Sequence, residues 1–305
     1  MAEGRVIRQN FSNVKKSIEA DSEQTIKTIN SIDDNLVQAK KDFSSSLMGM
    51  QKDPVLITET CKLPSRGLLY GVVIGDTVEL RAMTTIEERM RLSGENFWST
   101  MANIVNRCLV NCPIDAKDFV DFDFFAILVK LRIITYGNGY KTRTRCLNCE
   151  KPQDITVNLD LLNIEYLPED FVEPIIFEKM PKSGDKLGIR FLRVFDHIEI
   201  EQKSNEYNIN SQKNNEEDLG DPKYTLEMEK MLVSVNDIEL DSFARHKYIS
   251  SMIGMDSSYF HNRVNKLFYG VRRVGTMTCE DKTCGGLVIY QVAPDENFFR
   301  TAFDD

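Results

Sequence analysis

Histidine is scarce in this chain: three residues in 305, at His197, His246 and His261. None has a metal-type partner at short spacing, so the H-E-x-x-H chemistry of zinc hydrolases has no basis, and each histidine reads as a surface or helix-end residue. The phosphate-cradling G-x-x-x-x-G-K-[ST] loop is missing, as are G-x-G-x-x-G after a strand and the G-x-S-x-G nucleophile elbow. The glycine-rich YGNGY at 136–140 joins a predicted helix to a predicted strand and reads as a tight turn. The carboxylates of EYLPEDF and NNEEDLGD read as solvated faces, not as an acid–base pair. The expectation is a protein that is not an enzyme. No apolar run reaches the length that spans a bilayer, which predicts no membrane insertion. MAEGRVIRQNFSNVKKS lacks an apolar signal region, which predicts a chain that stays in the cytoplasm where it is made. An excess of positive charge is missing too. The formal net charge is −9, the opposite of what duplex DNA usually selects, and this argues against nucleic acid.

What is present is ordinary globular material, 42% hydrophobic and 28% charged, long enough for two compact units and an appendage. The appendage is residues 1–54, a heptad-type arm and linker. Between residues 5 and 48 there is neither Gly nor Pro, and apolar or small residues recur three or four positions apart. Ile18, Ile29, Ile32, Leu36 and Phe43 lie on that seam, with one stutter near Ser22. A helix this long has no core of its own to lie on, so these five residues are predicted to bind a partner helix.

The second part, residues 55–150, opens with the turn LPSRGLLYG and the alternating strand TVELRAM. Thr84 with Glu87, or Thr85 with Glu88, fits a capping box that starts a helix. A helical stripe follows at Phe97, Met101, Ile104, Val105 and Cys108. FDFFAILVKLRIITYG is apolar nearly all round and predicts a central buried helix stopped by Gly137. Asp123, Lys130 and Arg132 exclude a membrane span there. The third part, residues 151–305, begins with strands EPIIFEKM and LGIRFLRVF around the turn PKSGDK. The polar NEYNINSQKNNEEDLGDPK is expected to be a mobile loop. Helices are predicted over YTLEMEKMLVSV, from Asp241 or Ser242, and from Asp256.

Four of the seven cysteines form two close pairs, Cys146 with Cys149 and Cys279 with Cys284, 130 positions apart between Cys149 and Cys279. RCLNCE and TCEDKTCGG each sit between predicted strands. C-x2-C and C-x4-C turns present two sulfurs each, and two facing hairpins make a zinc ribbon. The expected cofactor is one structural zinc on four thiolates, which leaves no open position for a substrate. Cys108 and Cys112 read as buried small hydrophobes, and Cys61 stands outside the pattern. Lys141, Arg143, Arg145, Arg272 and Arg273 cluster near the hairpins, but without the aromatic interleaving that base stacking needs. The fold class that follows is α+β. It is a mainly helical body with small antiparallel β elements and a zinc-ribbon-like site of four cysteines, plus the long N-terminal coiled-coil-type helix.

Leu63–Gly67 (LPSRG), Met83–Glu88 (MTTIEE), Arg132–Gly137 (RIITYG) and Cys146–Cys149 (CLNC) follow one another over about residues 58–165, roughly a third of the chain. In this order they resemble the T-even-type bacteriophage baseplate hub family, with Leu147 where that family typically has Pro. The resemblance implies a structural part of a contractile phage tail, assembled in the host cytoplasm and located in the virion at the tail baseplate. It implies hub, tail-tube and tape-measure proteins as partners. The arm could also associate with copies of itself. Two other readings stay open: a hub assembly chaperone absent from the mature virion, and a zinc-ribbon regulator that binds nucleic acid.

Overall fold

Alternating apolar positions build the first sheet. β1 (Thr58–Lys62) and β2 (Thr77–Arg81) pair antiparallel, and β3 (Leu109–Val110) adds to β2. Val78 and Leu80 turn inward while Thr77 and Glu79 stay exposed, the period-2 pattern of a half-buried strand. The structure is a computed structural model. It describes residues 57–71, 73–93, 96–171, 175–214, 220–266, 269–294 and 298–299. The predicted arm, and with it Ile18, Ile29, Ile32, Leu36 and Phe43, lies outside the described residues.

Between β2 and β3 run α1 (Thr85–Ser93) and α2 (Phe97–Cys108). Of the two capping boxes the sequence offers, Thr84 with Glu87 forms. The Glu87 carboxylate accepts the Thr84 N–H at 2.9 Å, and the Thr84 hydroxyl accepts the Ile86 N–H at 3.3 Å. Asn96 caps α2 by accepting the Ser99 N–H at 2.8 Å. Its predicted stripe is inward, with Met101, Ile104, Val105 and Cys108 buried.

α3 (Asp121–Tyr136) is the axis of the molecule's larger core. Eleven of its sixteen residues are buried, as an all-round apolar helix requires. It stops at Gly137, whose φ of 84° lets its N–H reach the Ile133 carbonyl at 2.8 Å. The chain then forms the hairpin of β4 (Gly139–Arg145) and β5 (Pro152–Asn158). The short β6 (Ile164–Glu165) pairs much later with β11 (Gly270–Val271).

A second antiparallel sheet, in the order β10-β9-β8-β7, carries a smaller core. Its strands are β7 (Ile175–Lys179), β8 (Lys186–Arg190), β9 (Leu232–Val235) and β10 (Ile238–Glu239). Leu187, Ile189 and Leu232 pack there with Met228, Met231, Ile249 and Phe260. These last four come from α5 (Lys223–Met231), α6 (Ser242–Ser250) and α7 (Gly254–Lys266). Asp241 caps α6 by accepting the Ala244 N–H at 2.7 Å, as its position predicts.

Three local expectations change. The stretch expected to be a loop from residue 205 is helical through Asn214, the end of α4 (Val194–Asn214). Buried Val194, Ile198 and Ser204 hold the helix to the body, and no Gly or Pro interrupts it before Gly220, so its polar outer face does not stop it. The helix predicted over residues 224–235 ends at Met231. Leu232–Val235 then pairs with β8, and tertiary pairing overrides local propensity. Asp256 lies inside α7, not at its start, and caps something else. Its buried carboxylate accepts the N–H groups of Lys182 and Ser183, at 2.7 and 2.9 Å, in the β7–β8 turn.

The cysteine hairpins complete the fold. β12 (Val274–Thr278) and β13 (Leu287–Gln291) pair antiparallel, and β13 lies against the end of β4. Cys146 bridges to Val288, the Leu147 N–H reaches the Leu287 carbonyl at 3.0 Å, and the Thr144 hydroxyl donates to the Ile289 carbonyl at 2.7 Å. Among the described residues no helix is long and apolar enough to cross a membrane.

Candidate metal centre

Each cysteine pair sits on a tight turn at the end of a hairpin. In the first, the Glu150 N–H reaches the Cys146 carbonyl at 3.0 Å, and Glu150 takes a left-handed φ of 58° to turn the chain into β5. In the second, the Cys284 N–H reaches the Asp281 carbonyl at 2.9 Å, and the Cys279 N–H reaches the Gly286 carbonyl at 2.9 Å. Gly286 is required by space. A Cβ there would stand 2.7 Å from the Asn148 Cβ and 2.8 Å from the Cys146 sulfur.

The structure brings Cys146, Cys149, Cys279 and Cys284 together, with all four sulfurs within 4.8 Å of one another. Cys146 faces Cys284 at 3.7 Å, and Cys149 faces Cys279 at 3.8 Å. These separations are far beyond a disulfide bond of about 2.05 Å. They match the edge of a tetrahedron with metal–sulfur bonds of about 2.3 Å, which is about 3.8 Å. The donor set is compatible with a metal site.

Neighbouring groups favour thiolates. The Asn148 N–H points at the Cys146 sulfur at 3.4 Å, and the Asn148 side-chain amide points at the Cys284 sulfur at 3.4 Å. The buried Gln153 amide donates to the Cys279 sulfur at 2.7 Å, while its oxygen accepts the Glu280 N–H at 3.2 Å. Backbone N–H groups of Cys149 and Asn148 bring the Cys146 thiol down to about 7. At Cys149 the Lys151 N–H also favours the thiolate, but burial and the thiols of Cys284, Cys146 and Cys279 outweigh it and push the group up to about 12. Four sulfurs this close do not ionise together unless a cation offsets their mutual repulsion. Across the two turns Lys151 pairs with Asp281 at 2.7 Å.

The remaining cysteines stand apart. Cys61 and Cys108 are buried, and burial pushes both thiols up to about 12. Cys112 is half-buried. His246 pairs with Glu229 at 2.8 Å on the surface. His197 is a helix-end residue in the first turn of α4, half-buried and stacked on Trp98, with ring centroids 4.2 Å apart and planes 9° from parallel. Nor do the five basic residues near the hairpins form one patch. Arg272 pairs with Glu165, and Arg273 lies 4.1 Å over the Phe125 ring. Only Lys141, Arg143 and Arg145 line the exposed face of β4.

The other sequence motifs prove to be buried polar locks. In LPSRG the Ser65 N–H donates to Asp123 at 2.8 Å, and the Tyr70 hydroxyl donates to the same carboxylate at 2.6 Å. Burial raises the Asp123 pKa to about 6 against these hydrogen bonds. Gly67, at a φ of 75°, lies so close to Gly75 that a Cβ would stand 2.3 Å from its carbonyl oxygen. In MTTIEE, Glu87 is fully buried and accepts hydrogen bonds from Arg81, Thr84 and Arg107. Burial alone would raise its pKa, but those donors hold the carboxyl well below the usual range. In RIITYG, Arg132 is 1% exposed and donates to three carbonyls: Phe298 at 2.7 Å, Gly139 at 2.8 Å, and Gly137. In the sequence, Asp123 and Arg132 exclude a membrane span, and Arg132 opens the RIITYG motif of the family resemblance. A charged residue inside an apolar helix was the signal that could have marked both as locks.

A family model described as T4 bacteriophage base plate protein matches residues 55–252, which include Glu87, Asp123, Arg132 and the first cysteine pair but not Phe298. The match ends before Cys279. No curated protein matches, and no solved structure matches. With nearly two thirds of its length inside that match, the chain belongs to the T4 bacteriophage base plate protein family, which implies a place in the phage tail and association with other baseplate components.

Proposed function

We propose that this chain is a structural subunit of a contractile-tail baseplate, seated in the central hub and joining hub, tail-tube or tape-measure proteins. The family match over residues 55–252 carries the reading. The buried locks support it, because they join distant segments and leave each buried charge hydrogen-bonded within the protein. The four-cysteine cluster holds a structural zinc: four thiolates at tetrahedral spacing suit that ion and fill its coordination sphere. The zinc ties residue 146 to residue 284 and closes the segment between them at its base. The 1–54 arm engages partner helices through Ile18, Ile29, Ile32, Leu36 and Phe43.

Quantitative mass spectrometry of gradient-purified tails and mature particles tests the reading. A fixed, small copy number beside hub and tube proteins is the expected result. Presence in assembly intermediates but absence from mature particles would make the chain an assembly chaperone. Absence from both would overturn the baseplate reading and favour the nucleic-acid-binding regulator.

A further inference from the structure

The hairpins that carry the cysteines form a layer in the strand order β5, β4, β13, β12. One side of β5, β4 and β13 is buried, with Tyr140, Ile155 and Val288 turned inward beside Cys146, while β12 has no buried residue. The other side faces solvent, where an antiparallel sheet normally shows polar side chains. Here, among exposed Thr276, Thr278 and Gln291, it also shows Leu147 at 65% exposure, Val274 at 57%, Leu287 at 55% and Ile289 at 43%. Registers of the pairs set Leu147 beside Leu287 and Arg145 beside Ile289. Arg143 has only an exposed partner, Asp154 at 3.6 Å. Arg145 has no ion-pair partner among the described residues. Within a chain of net charge −9, this is an apolar face edged by cations.

We propose that this face docks an acidic surface of another baseplate subunit, one that sets apolar side chains over Leu287 and Ile289 and carboxylates against Arg143 and Arg145. The proposal rests on the baseplate reading and names the chemistry of one partner. A second copy of this chain fits poorly, because its identical face offers the same three cations, Lys141, Arg143 and Arg145, and not the carboxylates that would answer them. Nucleic acid fits poorly because the face carries no exposed aromatic ring for a base. Tyr140 is buried, and the Tyr290 ring covers Gly275, where an added Cβ would stand 2.3 Å from it. The face straddles the end of the matched family segment: Arg143, Arg145 and Leu147 lie within residues 55–252, and Val274, Leu287 and Ile289 lie beyond it.

The test places a photocrosslinker in the full chain as Ile289→p-benzoylphenylalanine, with Phe243→p-benzoylphenylalanine on the exposed end of α6 as control. Tails and assembly intermediates are irradiated and the joined peptides sequenced. Position 289 is expected to join one other tail protein, at a segment with carboxylates flanking apolar residues. Adding Arg145→Glu should lower that yield at least tenfold, Arg145→Lys should keep it, and neither should change bound metal. Joining to a second copy or to nucleic acid overturns the proposal. So does no joining in preparations that contain the chain, or a yield indifferent to Arg145→Glu. Absence of the chain's own peptides before irradiation is a separate failure, of the baseplate reading itself, and removes this proposal with it.

Discussion

The body around α3 and the cysteine layer are held together in opposite ways. In the body, apolar side chains from α2, α3 and the first sheet fill a core, and Asp123, Glu87 and Arg132 are buried within it because each has a full set of partners. The cysteine layer is thin. β12 keeps four of its five residues exposed, and β5 alternates one buried with one exposed. A two-stranded hairpin of that kind is marginal in water by itself. The difference suits the proposed zinc: a crosslink through a metal would supply there what apolar area does not. The locks in the body hold the chain in place without any added group.

The sharpest way to break this comparison is to remove one sulfur. Cys284→Ser should abolish bound metal, measured by elemental analysis, and lower Tm by roughly 15 °C at the few degrees per kcal/mol usual for a chain of this size. Hydrogen exchange should rise first in β12, β13 and the end of β4, while α3 stays protected. If α3 opened together with β12, the two regions would be one cooperative unit and the contrast would fail.

The next largest effect belongs to the body. Arg132→Met keeps the apolar stem but leaves the carbonyls of Gly137, Gly139 and Phe298 without their donor. We expect a loss of about 4 kcal/mol by denaturant titration, with bound metal unchanged. Loss of metal in this variant would show that the lock and the cysteine site depend on each other.

The smallest effect concerns Asp123. Its folded pKa is raised from 3.8 to about 6, chiefly by burial. A raised carboxyl contributes stability that is complete below about pH 4 and is lost as pH rises through about 6. Asp123→Asn removes this dependence. Between pH 4 and 6 the stability difference should therefore shift in the variant's favour by up to about 3 kcal/mol, at about 1.4 kcal/mol per unit. A flat difference would place Asp123 in a wetter setting than its neighbours Ser65 and Tyr70 imply.

Local patterns determined a good part of this protein. The apolar run fixed α3 and Gly137 its end, T-x-x-E started α1, alternation made β2, and Asp241 capped α6. The two cysteine turns were also readable, because short spacings and flanking strands are properties of a few adjacent residues. What the chain does with long separations was decided only in three dimensions. Which sulfur faces which, the partners of Asp123 and Arg132, and the choice of strand at Leu232 all depend on residues tens to more than a hundred positions apart. The length of α4 was missed for a related reason. A polar sequence carries little signal of its own, and the buried α4 residues Val194, Asp196, Ile198, Ile200 and Ser204 anchor the helix. The same physics separates the basic residues by the hairpins. One-dimensional clustering put five together, but strand register and packing sent Arg273 inward, paired Arg272 with Glu165, and left Arg143 and Arg145 facing solvent.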